Sequence, residues 1–333
     1  MRRSLLLLLL SMLFVPACAP GAPAAPAVTS STPAAVQAPV SLSSPAQPPA
    51  TGTAHPPHFG LATATFPASP PTPQPPALDF RTSPADGMIQ LFVPAGTLRM
   101  GGLDVFADSD ELPYHDVSLK EFWVDETEVT NGMYALCVQA GACLLPRKLS
   151  SQQRPSYFDN PEFRDYPVIQ VTWSDARDYC AWAGRRLPTE AEWERAARGD
   201  DQRNYPWGDD QPSSLYANFD NLVRDTSRVG SYPAGASPFG ALDMAGNVWE
   251  WVSDYYDPEY YKTAPAADPT GPADTRGRWQ RVIRGGSYTD GFADIRLSNR
   301  GYELGPNPEA PLGGLDLRGR TSARIGFRCA ADR

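Results

Sequence analysis

The chain has 333 residues, 29 Lys and Arg against 38 Asp and Glu, and a net charge of −9. Every acidic residue lies at or after Asp79, whereas Arg2 and Arg3 stand at the very start. The C-terminal part is therefore markedly acidic, which argues against nucleic acid or an anionic lipid surface as its main partner. In chain order, Met1 to Ala17 has the form of a secretory signal: a positive Arg-Arg start, an apolar run from Leu5 to Val15, and a small residue before Cys18. The run is too short to span a bilayer. Ala17-Cys18 fits the junction at which a bacterial lipoprotein is cleaved and acylated on its new N-terminal cysteine, with Pro16 an imperfect match. The expectation is a chain exported and anchored to a membrane through lipid on Cys18.

From Ala19 to Ala77 there is no Asp, Glu, Lys or Arg, and Pro, Ala, Ser and Thr dominate. Such a segment buries too little apolar surface to fold, so it reads as an extended tether. As a coil of about 60 residues it reaches roughly 40–50 Å. His55 and His58 fall in it and read as linker residues, not metal ligands. The expected organisation is signal 1–17, tether 18–85 and one folded domain 86–333, large enough for a good core. With Cys18 set aside, Cys137, Cys143, Cys180 and Cys329 remain. An even number in an exported domain points to two disulfides.

The domain opens with a strand pattern over 88–93, then a second through Val117, Leu119 and Phe122-Trp123-Val124. Thr130 caps a helix that ends near Gly141, with Cys143 close enough to staple its end to Cys137. Ser174 is expected to cap the next helix, whose apolar face is Ala176, Tyr179, Cys180 and Ala183 and which Gly184 stops. Thr189 opens a third, completed as a capping box by Glu192. Periodicity is then lost in long loops rich in Gly, Pro, Asn and Asp, which need a metal, a disulfide or a ligand to hold them. Out of these loops comes Asp243-Met244-Ala245-Gly246-Asn247-Val248-Trp249-Glu250-Trp251-Val252. Its second half alternates, Trp249 and Trp251 to one face and Val248, Glu250 and Val252 to the other. Asp243, Glu250 and the carbonyls of the bend between them form an oxygen-rich group of the kind Ca²⁺ prefers; the plain alternative is a turn with Glu250 solvated.

Five ordered stretches, 184–194 (GRRLPTEAEWE), 206–208 (PWG), 246–251 (GNVWEW), 284–288 (RGGSY) and 326–329 (GFRC), closely resemble the formylglycine-generating enzyme (sulfatase-modifying factor) family. The resemblance covers roughly 88–332 and none of the tail. It implies a compact, loop-rich α+β fold related to C-type lectins, pinned by calcium and disulfides, with Cys180 paired to Cys329. It also implies a structural calcium held by Asp243, the carbonyls of Gly246 and Val248, and Glu250. A second calcium would involve Asn218 and Phe219, with Asp225 the nearest later aspartate.

The chain departs from the family where the chemistry lies. Members that make formylglycine bind copper through two cysteines after the Gly-Gly-Ser turn; those positions here are Asp290 and Ile295. A carboxylate and an aliphatic side chain do not replace a soft thiolate pair for Cu(I), so no copper is expected. The ergothioneine branch uses histidines for iron, and this domain has His115 alone. A siderophore-maturation branch works without the cysteine pair. The resulting expectation is a surface-tethered, non-catalytic module that binds a protein, peptide or glycan. The alternatives are a non-copper enzyme of the same superfamily and a diversified lectin-fold display protein. Candidate groove residues are Trp249, Arg284, Ser287, Tyr288, Asp290 and Arg300, with core packing the competing role for Trp249 in particular.

Overall fold

The structure, a computed structural model, describes residues 79–102, 104–273, 275–309 and 317–333. The expected signal segment, the lipidation site Cys18 and the tether with its two histidines lie outside these residues. The folded part begins earlier than residue 86, because Phe80–Thr82 forms strand β1 and pairs antiparallel with β2, Ile89–Val93. Chain order continues with β3 (Gly96–Met100), β4 (His115–Leu119), β5 (Phe122–Asp125), α1 (Asn131–Gln139), α2 (Trp173–Trp182) and α3 (Glu190–Arg198). After a long irregular stretch come β6 (Trp249–Tyr255), β7 (Gln280–Arg284), β8 (Arg300–Leu304), β9 (Ile325–Gly326) and β10 (Ala330–Asp332). Among the described residues these form sheets ordered β1-β2-β5-β10, β3-β4 and β8-β7-β6-β9. The architecture is the α+β, loop-rich fold of the formylglycine-generating-enzyme type that the motifs imply.

Local chemistry accounts for the helices. Thr130 accepts from the Met133 amide and starts α1. Thr189 and Glu192 form the expected reciprocal box at α3. The cap of α2 is Thr172, not Ser174. Thr172 takes the Asp175 amide while the Asp175 carboxylate takes the Thr172 amide, satisfying two end donors that Ser174 would leave open. Trp173 thereby joins the helix and donates its indole N–H to the Val252 carbonyl of β6 at 2.7 Å.

Strand β6 is the spine of the domain. It pairs antiparallel with β7 and parallel with β9, and both its faces are covered. Trp251, Val248 and Val252 are fully buried and Glu250 is 1% exposed, so Glu250 is not a solvated surface carboxylate. Its partners are Arg328, which grips both carboxylate oxygens at 2.7 Å, and Trp193 Nε1 at 2.8 Å. Paired in this way the buried charge is compensated. Of the two disulfides, Cys137–Cys143 ties α1 to the turn that follows it, and Cys180–Cys329 fastens α2 to the residue before β10. They place the folding of this domain in an oxidising compartment.

Candidate functional site

The site is built where the irregular loops close over the start of β6. Gly285 and Gly286, just past β7, adopt left-handed φ values of 93° and 73°. At Gly286 a Cβ would lie 2.7 Å from Ile295 Cγ2, so only glycine lets the turn close on that side chain. The turn presents Ser287, whose amide and hydroxyl both donate to Asp290 Oδ2, at 2.9 and 2.5 Å. Trp249 Nε1 donates to the same oxygen at 2.8 Å. Asp290 thus ties the start of β6 to the Ser287 turn. Its carboxylate holds hard N–H and O–H donors, as its chemistry requires.

Ile295 is fully buried among Tyr205, Ala217, Phe219 and Ala245. The two positions that carry copper ligands in the family are here a closed hydrogen-bond knot and a piece of apolar core. Tyr288 is also buried, its hydroxyl has no hydrogen-bond partner among the described residues, and burial pushes its pKa up to about 12.

Two expected groove residues lie elsewhere. Arg284 and Arg300 face each other across β7 and β8 and both meet the acidic side of α3. Arg300 forms a two-pronged pair with Glu190 at 2.7 and 2.9 Å. Arg284 binds Glu194 at 2.5 Å and the carbonyls of Leu297, Ser298 and Asn299. Two like charges opposite one another on paired strands would repel, and Glu190 and Glu194, one helical turn apart, neutralise them. Both arginines are buried and hold the sheet to α3.

An open groove of about 520 Å³ runs beside the knot, lined by Gln152, Gln153, Asn221, Arg224, Thr289 and Arg324. The loop after Asn218 is docked against the Ser287 turn: Asp220 and Asn221 donate their amides to the carbonyls of Asp290 and Tyr288. Arg324 donates to Thr289 Oγ1 at 2.9 Å. Among the described residues neither Arg224 nor Arg324 lies within ion-pair distance of a carboxylate. Sequence reasoning misses this rim. The one usable signal is the position of Arg324, two residues before Gly326-Phe327-Arg328-Cys329.

The candidate calcium residues divide. Asp243 and Glu250 are brought close to a third carboxylate, Glu128, which the sequence does not single out. Burial pushes Asp243 up to about 6 and Glu128 well above the carboxylate range, with neighbouring carboxylates adding to both. Glu128 Oε1 accepts from Asn247 at 2.9 Å, while Oε2 is buried with no hydrogen-bond partner among the described residues. With all three ionised, these carboxylates against Arg328 would carry a charge of −2, which a divalent cation would balance. Among the described residues no group of three or more His, Cys, Asp and Glu side chains is arranged around a metal position, so backbone carbonyls would have to complete a shell. Gly246 sits at that bend with φ 82°, its Cα so close to the Asn218 carbonyl that a Cβ would lie 2.4 Å from the oxygen. Glu250, expected as a ligand, is paired with Arg328 through both carboxylate oxygens.

In the second candidate set, Asn218 Oδ1 is buried and has no hydrogen-bond partner among the described residues. Both Asp225 carboxylate oxygens already accept, from Ser151 Oγ and the Gln153 amide on one side and the Thr226 amide on the other. The Phe219 carbonyl accepts from the Leu222 amide, and Asn218 turns its amide N–H₂ toward the Asp225 carbonyl. Asp225 is a clasp between two loops.

Sheet topology, paired disulfides and the glycine turn beside β6 together define a domain of the formylglycine-generating-enzyme type. The chain belongs to that family: the model of the sulfatase-modifying factor enzyme 1-like domain matches residues 77–333. It is 34% identical over 297 residues to the formylglycine-generating enzyme of Streptomyces coelicolor, covering 73% of this chain and 89% of that one. It is 33% identical over 251 residues to the hercynine oxygenase of Mycolicibacterium smegmatis, covering 64% of this chain and 57% of the relative. The structure of PvdO from Pseudomonas aeruginosa superposes with a TM-score of 0.62 at 26% identity, over 79% of this chain and 100% of that one.

Proposed function

We propose that the chain is a membrane-tethered binding module that uses the scaffold of this family without its copper chemistry. The observation that carries the reading is the fate of the copper position. Asp290 is committed to Trp249 and Ser287, and Ile295 is sealed in the core. What faces solvent beside it is a polar groove with two arginines that pair with no carboxylate among the described residues, suited to a peptide or glycan that carries negative charge. Calcium belongs to the same proposal as a structural ion. Asp243, Glu128 and the carbonyls of Gly246 and Val248 would hold it, with Glu250 contributing charge while bound to Arg328.

Probing peptide and glycan arrays with the purified domain tests the groove. Ligands found with the native protein should bind Arg324→Glu at least about tenfold more weakly, as for loss of one charge-assisted contact. Arrays on which the two proteins give the same pattern would count against this groove. The tether and anchor rest on residues 1–77. Cys18→Ser should move the protein from the membrane fraction to the soluble one. Native protein that carries no lipid by mass spectrometry, with the variant still on membranes, would remove the anchor from the proposal.

A further inference from the structure

A second cavity, about 840 Å³, opens at the other end of β6, around Ser253. Four residue steps separate Trp249, bound to Asp290 beside the groove, from Ser253 here, a distance of about 13 Å along the strand. The volume is that of a small-molecule pocket. Leu119, Leu187 and Pro269 supply apolar wall, and the indole of Trp173 stands at its back.

Five cations line this cavity, and four are already neutralised. Lys120 pairs with Asp268 at 3.0 Å, Arg177 with Asp178 at 2.6 Å, and Arg333 with Glu121 at 3.3 Å. Arg186 binds both Glu192 and Asp332. The fifth, Arg281 on β7, has no carboxylate within ion-pair distance among the described residues. It is 8% exposed, and its guanidinium lies between two rings, 3.8 Å from the centroid of Trp173 and 3.4 Å from that of Tyr255. One terminal nitrogen donates to the Ser253 carbonyl, while Nε is buried with no acceptor among the described residues. Burial lowers its pKa to about 10. The two rings offset part of the desolvation cost, but a buried guanidinium is ordinarily balanced by an anion as well.

We propose that this cavity is a second ligand site, for a small organic carboxylate whose acid group meets Arg281 and whose apolar body lies against Leu119, Leu187 and Pro269. The site is independent of the groove at Arg324, and neither requires the other.

The test is calorimetric titration of the whole folded domain with 2-naphthoate and, separately, with 2-naphthalenemethanol, which keeps the rings and lacks the charge. The naphthoate should bind at one saturable site at least tenfold more tightly than the alcohol. Arg281→Gln, shown to be folded by its near-ultraviolet circular dichroism, should lose that preference, and Arg324→Glu should keep it. Thr270→Trp, an exposed rim position, should weaken naphthoate binding with the guanidinium intact. Equal affinity for the two probes, no saturable binding by native protein, or a folded Arg281→Gln variant that still prefers the acid would each overturn the assignment. Loss of array binding in Arg324→Glu with naphthoate binding unchanged would separate this site from the groove.

Discussion

Cys329→Ser is expected to lower the melting temperature by roughly 10–20 °C. The Cys180–Cys329 bond closes a sequence separation of 149 residues, from α2 to the residue before β10. Cross-linking so long a loop removes about 5 kcal/mol of chain entropy from the unfolded ensemble in the entropic account, which is the upper end of what disulfides contribute. Both cysteines are fully buried in the cluster that holds Tyr134, Tyr179 and Phe327, so a serine there also brings an unpaired hydroxyl into an apolar region. Cys137–Cys143 spans six residues, for which the same account gives about 2 kcal/mol, and Cys137→Ser should cost half as much or less. Thermal unfolding of the two variants without reductant makes the comparison. Equal losses would show that loop length does not govern these bridges.

Chelation should produce the second large effect. The buried Glu128, Asp243 and Glu250 group holds one arginine, and without a cation burial and the neighbouring carboxylates oppose ionisation of Glu128 and Asp243. A cation at about a hundred times its dissociation constant stabilises the native state by about 2.7 kcal/mol, or roughly 5–10 °C for a domain of this size. Asp243→Asn is the informative variant. Residue 243 sits at φ 56°, a left-handed conformation that asparagine adopts readily, so the backbone is kept while the charge is lost. This variant should melt at the same temperature with and without chelator, whereas native protein should not. Glu250→Ala would be a poor choice, because it strands Arg328 as an unpaired buried cation whether or not calcium is present. Native protein, freed of metal and then reloaded with calcium, that shows one melting temperature throughout would contradict the calcium proposal.

The elements readable in the sequence are those with local chemistry. The caps at Thr130 and Thr189 and the stop after α3 follow from side chains within three residues of the helix end. Ser174 is a plausible cap by type, but Thr172 makes the bond because Asp175 lies three residues beyond it and closes the box. The Ser287 turn and the alternation of β6 are also legible. Non-local pairing is not. Arg284 and Arg300 read as groove residues because the sequence does not show that β7 and β8 aim them together at Glu190 and Glu194. Glu128 draws no notice because its meaning depends on Asp243, more than a hundred residues on. Asp225 reads as a free ligand in the sequence, whereas the 151–153 loop supplies its donors in the fold. In each case the contact that decides the residue's role lies far away in the chain.

The central claim is that the scaffold is kept and the copper chemistry is not. Its most direct test is to incubate the purified domain with copper, reductant, oxygen and a peptide bearing Cys-x-Pro-x-Arg, then to look for the aldehyde by mass spectrometry. Aspartate gives Cu(I) little affinity and a buried isoleucine gives none, so product should not exceed that of a control without protein. Copper-dependent aldehyde above that control would contradict the account, since it would require a copper site that Asp290 and Ile295 do not form.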